Sequence, residues 1–221
     1  MTEENDDLEI NNLPNRLTIM RVLLVPIVVG LLYMTTTDVV WFVNNQNGLY
    51  WVSGWIFTFA SITDFLDGYI ARKRNISTVF GSFLDPVADK FLVVSSLIML
   101  VYLRRVDVII VIILVLREMY MTSLRLLALT EGINVPVSPT GKWKTATQMV
   151  AIPFLMAYQT FWIFPLDHIG TILIYISAAL SLLSAFVYSL NVVVKMKEVR
   201  KIKKQKLKEE KMLRQSKNET K

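Results

Sequence analysis

Six long apolar stretches constrain this 221-residue chain more than any other feature. They run from Leu17 to Met34, Tyr50 to Ile70, Val79 to Leu103, Val106 to Leu129, Ala146 to Phe164 and Ile169 to Val194. Each is close to the ~20 residues that cross a ~30 Å hydrocarbon layer. Within lipid a backbone satisfies its own hydrogen bonds, so such segments read as helices. The expected fold is an all-α integral membrane protein with six transmembrane helices. Apolar residues supply 53% of the chain and charged residues 19%, which excludes a disordered, collagenous or coiled-coil chain. The absence of cysteine excludes thiolate metal sites, thiol catalysis and disulfides.

The basic residues set the expected orientation. The linkers at 35–49 and 165–168 contain no Lys or Arg, whereas Arg72, Lys73 and Arg74 fill the linker after the second stretch. Lys142 and Lys144 precede the fifth, and twelve of the 24 basic residues lie from Lys195 onward. Six spans then place both termini in the cytoplasm. Only Arg104 and Arg105 fall on the outer side, partly offset by Asp107. Trp41, Tyr50, Trp51 and Trp162 read as outer-interface anchors. Residues 1–12 are acidic and lack the basic n-region of a secretory signal. The expected organisation is an acidic segment (1–12), a six-helix transmembrane domain (13–194) and a basic cytoplasmic tail (195–221). The tail reads as a solvated extension of the last helix that frays, with anionic headgroups as its natural surface. With the charge placed there, no nucleic-acid partner is expected.

Charged side chains inside a span are costly and by default mark function. Asp64 and Asp67, spaced i, i+3, share one face of the second span, and Asp85 and Asp89, spaced i, i+4, share one face of the third. The short basic linker between these spans sets both pairs near the cytoplasmic end. Four carboxylates there repel one another unless a cation lies between them. Lys90, Arg72 and Arg117 supply part of that charge, and divalent metal is the better candidate. Oxygen ligands without His or Cys suit Mg²⁺ or Mn²⁺. Two such ions ~3.5–4 Å apart form the clamp used in phosphoryl transfer. The single histidine, His168, lies in an outer linker and reads as a surface residue. Gly68 and Gly81 leave room either for helix packing or for close approach of a phosphate. Ion or proton transporters also carry intramembrane charges, but no inverted repeat is visible and the charges cluster at one depth. A pure scaffold has no use for two aspartate pairs.

Read together, the residues are Asp64-x₂-Asp67-Gly68-x₂-Ala71-Arg72-x₈-Gly81-x₃-Asp85-x₃-Asp89. This pattern resembles, in full, the signature of the CDP-alcohol phosphatidyltransferase family. The resemblance implies a six-helix membrane homodimer that transfers a phosphatidyl group from CDP-diacylglycerol to an alcohol and releases CMP. It implies that Asp64, Asp67, Asp85 and Asp89 hold two divalent cations, Mg²⁺ or Mn²⁺, and that Asp89 is the general base. It further implies that Gly68, Arg72, Thr78 and Gly81 meet the CDP part. The Pro14-Asn15-Arg16-Leu17-Thr18 segment is similar to the family's amino-terminal element, which places Asn15 and Thr18 near the nucleotide.

The acceptor alcohol is set outside that signature. Arg117, Glu118 and Arg125 end the fourth span, and Gly141-Lys142-Trp143-Lys144-Thr145-Ala146-Thr147-Gln148 opens the fifth. Arg117, Arg125, Lys142 and Lys144 together call for an anion on the acceptor. Glu118 is placed to pair with Arg117 or orient it. These stretches resemble the bacterial phosphatidylglycerophosphate synthase subgroup. That implies glycerol-3-phosphate as acceptor and a multi-pass protein of the bacterial plasma membrane with its active site facing the cytoplasm. The nearest alternative within the family is a cardiolipin synthase, whose acceptor is phosphatidylglycerol.

Overall fold

A computed structural model describes the backbone of residues 13–74, 79–133, 139–158, 160–161 and 164–219. For some of these, named where they matter, nothing beyond the backbone is described. Helices dominate: α1 (Leu13–Met34), the short α2 (Val40–Asn44), α3 (Gln46–Arg74), α4 (Val79–Tyr102), α5 (Val108–Thr130), α6 (Pro139–Ala157) and α7 (Leu166–Glu219). Strands β1 (Thr160–Phe161) and β2 (Phe164–Pro165) form a small antiparallel hairpin before α7. Each of the six apolar stretches thus falls on a long helix, with two departures. The fifth stretch leaves its helix at Ala157, where Tyr158 adopts a left-handed backbone (φ 44°), and ends in the hairpin. The sixth does not stop at Val194: α7 stays helical to Glu219, because no Gly or Pro follows Gly170 and the tail is rich in strong helix formers.

The chain divides into two compact units: residues 1–113 with 145–177, and residues 114–144 with 178–221. In the first unit α1 packs against α3 and α4, which also touch each other. Thr18, Arg21, Val28 and Leu32 form one buried stripe along α1, at the spacing of a single helix face, and Thr35 just past its end is buried as well. Leu49, Ser53, Phe57 and Ala60 do the same on α3, and Ala88, Leu92, Ser96 and Leu100 on α4. The Gln46 side chain donates to the Thr35 carbonyl (3.0 Å), so α1 ends where α3 begins and the two run antiparallel. Close backbone approach seats α6: a Cβ on Gly54 would lie 3.3 Å from the Pro153 carbonyl oxygen, and one on Gly170 2.9 Å from Leu155 Cγ.

Packing contacts account for Arg105 in the linker that also holds Arg104 and Asp107. The α4 terminus closes with the Arg105 N–H donating to the Leu100 carbonyl and the Arg104 N–H to that of Val101 (both 2.9 Å), while Arg104 takes the left-handed conformation (φ 57°). The Arg105 side chain, buried, then donates to the Leu155 (3.0 Å) and Met156 carbonyls at the end of α6. Its guanidinium carbon sits 3.7 Å from the Tyr50 ring centroid and 4.5 Å from that of Tyr158. Tyr50 is therefore a packing partner of this cation as well as a residue near the expected interface. Burial lowers the Arg105 pKa, and Tyr50 acts against that shift.

In the second unit α5 ends in the same manner with a glycine: Gly132 is left-handed (φ 74°), and Ile133 N–H donates to the Ala128 carbonyl (2.8 Å). Met121, Ala128, Ile133, Ala185, Tyr188 and Val192 form the core there, flanked by Leu124, Met196 and Val199. Lys203 (3.2 Å) and Arg200 (4.0 Å) pair with Glu131, so the base of the basic tail is tied to the end of α5.

The outward faces are apolar. Leu23, Ile27, Trp55, Phe59, Ile98, Ile112, Leu116, Leu183 and Phe186 are all exposed. A row of large apolar side chains on every long helix marks a surface that meets lipid or a partner. Among the described residues one helix, Leu166–Lys208, is long and apolar enough by length and composition to cross a membrane, and Thr18–Met34 and Lys90–Tyr102 are shorter apolar helices.

Candidate active site

Asp64, Asp67, Gly68 and Arg72 lie in the last three turns of α3, and Gly81, Asp85 and Asp89 in the first three turns of α4. At ~1.5 Å rise per residue, all four aspartates stand within about 15 Å of the α3–α4 connection. Both helices pack on α1 and on each other, so the four carboxyl-bearing turns belong to one end of one three-helix packing. The side chains of Asn15, Asp64, Asp67, Arg72, Asp85 and Asp89, and the surroundings of Gly68 and Gly81, lie outside the described residues, as does Thr78 altogether. The donor set of four carboxylates fits a hard divalent cation, which takes oxygen ligands. His168 is not available to it: its side chain is 79% exposed, beside Asp167 at the start of α7.

Two residues on the buried stripe of α1 face into this packing. Thr18, expected near the nucleotide, is 1% exposed, and Arg21, one turn further on, is 2% exposed. Arg21 stands about 12 Å along α1 from its start, a depth similar to that of the aspartate-bearing turns measured from the α3–α4 connection. Sequence reasoning gave Arg21 no role. Its signal was available, since a guanidinium inside an apolar stretch needs a counter-charge or close partners.

The second unit contains a distinct charge network. Arg117 on α5 donates through Nε to the Ser181 carbonyl (3.0 Å) and through its terminal nitrogens to Ser184 Oγ and to Glu118 (3.2 Å). Lys144 on α6 donates to the same Glu118 oxygen (2.7 Å). The Arg117 and Lys144 side chains are 9% and 7% exposed, and that of Glu118 is 33% exposed. Two of the four cations expected to meet an acceptor anion are therefore brought together by one carboxylate. Arg125, two turns beyond Arg117 on α5, and Lys142 are exposed and are not among the partners described for this network. Ser181 and Ser184 escaped the sequence reading because two serines in an apolar helix carry no signal until their partner is known.

The family model described as CDP-alcohol phosphatidyltransferase matches residues 11–203. A protein of Rickettsia typhi named CDP-diacylglycerol–glycerol-3-phosphate 3-phosphatidyltransferase is 38% identical over 80% of this chain and 94% of its own length. One of the same name from Haemophilus influenzae is 37% identical over 80% of this chain and 91% of its own. A rice protein named cardiolipin synthase (CMP-forming) is 37% identical over 80% of this chain and 56% of its own.

Proposed function

Because the chain belongs to the CDP-alcohol phosphatidyltransferase family, we propose that it transfers the phosphatidyl group of CDP-diacylglycerol to the primary hydroxyl of glycerol-3-phosphate. The products are phosphatidylglycerophosphate and CMP. The names of the relatives support this acceptor. The observation that carries it in this chain is the pair of partly buried Arg117 and buried Lys144, a cationic seat suited to a phosphate on the acceptor.

The step is an in-line displacement at the phosphorus that bears diacylglycerol. The acceptor oxygen forms a bond to that phosphorus, the bond to the bridging pyrophosphate oxygen breaks, and CMP leaves with the electron pair. Asp64, Asp67, Asp85 and Asp89 would hold two divalent cations, which would supply charge neutralisation of the pyrophosphate and of the leaving CMP oxygen. Asp89 takes the hydroxyl proton, Arg72 neutralises phosphate charge, and Gly68 and Gly81 leave room for the CDP part. Asn15, Thr18 and Thr78 supply polar contacts to the nucleotide. Arg117 and Lys144 hold the acceptor's phosphate, with Arg125 and Lys142 attracting it from the exposed surface. The catalysis asked of these residues is mainly positioning and electrostatic.

The apolar outer faces and the family's membrane character support six spans in the bacterial plasma membrane, both termini and the site on the cytoplasmic side, and a homodimeric assembly. One observation favours a second reading: the rice relative is named a cardiolipin synthase, for which the acceptor is phosphatidylglycerol. The test is CMP release by purified protein from CDP-diacylglycerol with Mg²⁺ or Mn²⁺ and glycerol-3-phosphate. Turnover that needs both metal and this acceptor is expected; release without either contradicts the reading.

A further inference from the structure

One carboxylate oxygen, Glu118 Oε2, accepts from both Arg117 on α5 and Lys144 on α6, two cations with little exposed side-chain surface that lie 27 residues apart in the chain. Each donor lies within 3.2 Å of that oxygen, so the two positive charges stand no more than about 6 Å apart. At that separation, out of water, they repel unless an anion lies between them. Arg117 is also fixed from the other side by Ser181 and Ser184 of α7. Lys144 has a flexible stem, and its ammonium donates to Glu118 Oε2 at 2.7 Å.

We propose that Glu118 is the positioning residue of the acceptor-phosphate seat, holding Lys144 against the fixed Arg117 at a spacing one phosphate group can bridge. The inference rests on the reading that Arg117 and Lys144 take the acceptor's phosphate. Glu118 also offsets part of the positive charge that Arg117 and Lys144 bring to the seat. A phosphate monoester carries close to two negative charges at neutral pH, so it binds to a seat already arranged but not yet neutralised. Without the carboxylate the two cations separate and must be gathered again by the acceptor. That cost falls on acceptor binding and leaves CDP-diacylglycerol untouched.

The test uses the full-length protein in detergent with Glu118→Gln, Glu118→Asp, Lys144→Gln and Arg117→Lys. Partners that orient a binding group from behind typically change affinity by about tenfold or more when removed. Glu118→Gln is expected to raise the KM for glycerol-3-phosphate about tenfold, with the KM for CDP-diacylglycerol within about twofold. Inorganic phosphate, competing with glycerol-3-phosphate, weakens as an inhibitor in parallel. Glu118→Asp, which keeps the charge on a shorter arm, recovers part of the loss. A merely structural role lowers kcat or the yield of folded protein without a selective change in acceptor KM. If Glu118→Gln leaves or lowers the acceptor KM while Lys144→Gln raises it, the role of Glu118 is overturned and the phosphate seat stands. If Lys144→Gln and Arg117→Lys leave it unchanged too, the seat itself is overturned. Should Glu118→Gln fail to fold, Glu118→Asp and the phosphate competition decide: unchanged values for both overturn the proposal.

Discussion

Replacing Arg105 by Ala removes a side-chain clamp on the end of α6. The side chain donates to the Leu155 and Met156 carbonyls of α6, and its cation lies over Tyr50 and Tyr158. Hydrogen bonds from a charged donor contribute ~1.5–3 kcal/mol each, and a partly desolvated cation–π contact ~0.5–2. Carbonyls at a helix end regain some of this from water once the side chain is gone. A net loss of about 3 kcal/mol is the expected outcome. For a chain of this length that is a fall in thermal midpoint of about 6–12 °C. Lys at the same position keeps the charge and one bond but not the fork, and about half the loss is expected. The assay is thermal unfolding in one detergent at one scan rate, because unfolding of such proteins is often irreversible. A variant carrying Ala at 105 that unfolds within about 1 °C of the parent refutes the reasoning.

The remaining predictions follow from backbone geometry and from the aspartates. Gly170→Ala places a Cβ 2.9 Å from Leu155 Cγ and 3.1 Å from its backbone nitrogen, and should cost ~1–3 kcal/mol in the same assay. Gly30→Ala, with nothing within 4 Å, is the control and should be neutral or stabilising by up to ~1 kcal/mol. Arg104→Gly relieves the left-handed backbone at the end of α4 and should raise the midpoint by the equivalent of ~1 kcal/mol. Asp85→Asn and Asp89→Asn should each abolish metal-dependent CMP release while the protein stays folded. Activity near that of the parent in either would sink the two-metal proposal.

The helices are legible in this sequence because apolar stretches of about twenty residues leave few alternatives. The family is legible because its pattern is local: eight specified positions fall between Asp64 and Asp89. The ends of helices are less so. Hydropathy carries the fifth stretch on to Phe164, but the left-handed Tyr158 and the Arg105 clamp stop α6 at Ala157. The tail is polar, yet nothing in it breaks a helix, and Glu131 ties its base to α5. The charge network is the least legible part. Arg117 and Lys144 stand out as cations in a line of residues, but their shared carboxylate and the serines of α7 come together only when three helices do. Arg105 is hard to read for the same reason, since a charge count sees a cation in the outer linker and not the carbonyls it serves.

Acceptor identity is the central question for this member of the enzyme family, and the most direct measurement is product identification. Purified protein is given radiolabelled CDP-diacylglycerol and Mg²⁺ or Mn²⁺, with glycerol-3-phosphate or phosphatidylglycerol in parallel reactions. The account predicts phosphatidylglycerophosphate and an equal amount of CMP from the first, and no comparable turnover from the second. Cardiolipin from the second, with glycerol-3-phosphate inert, contradicts it.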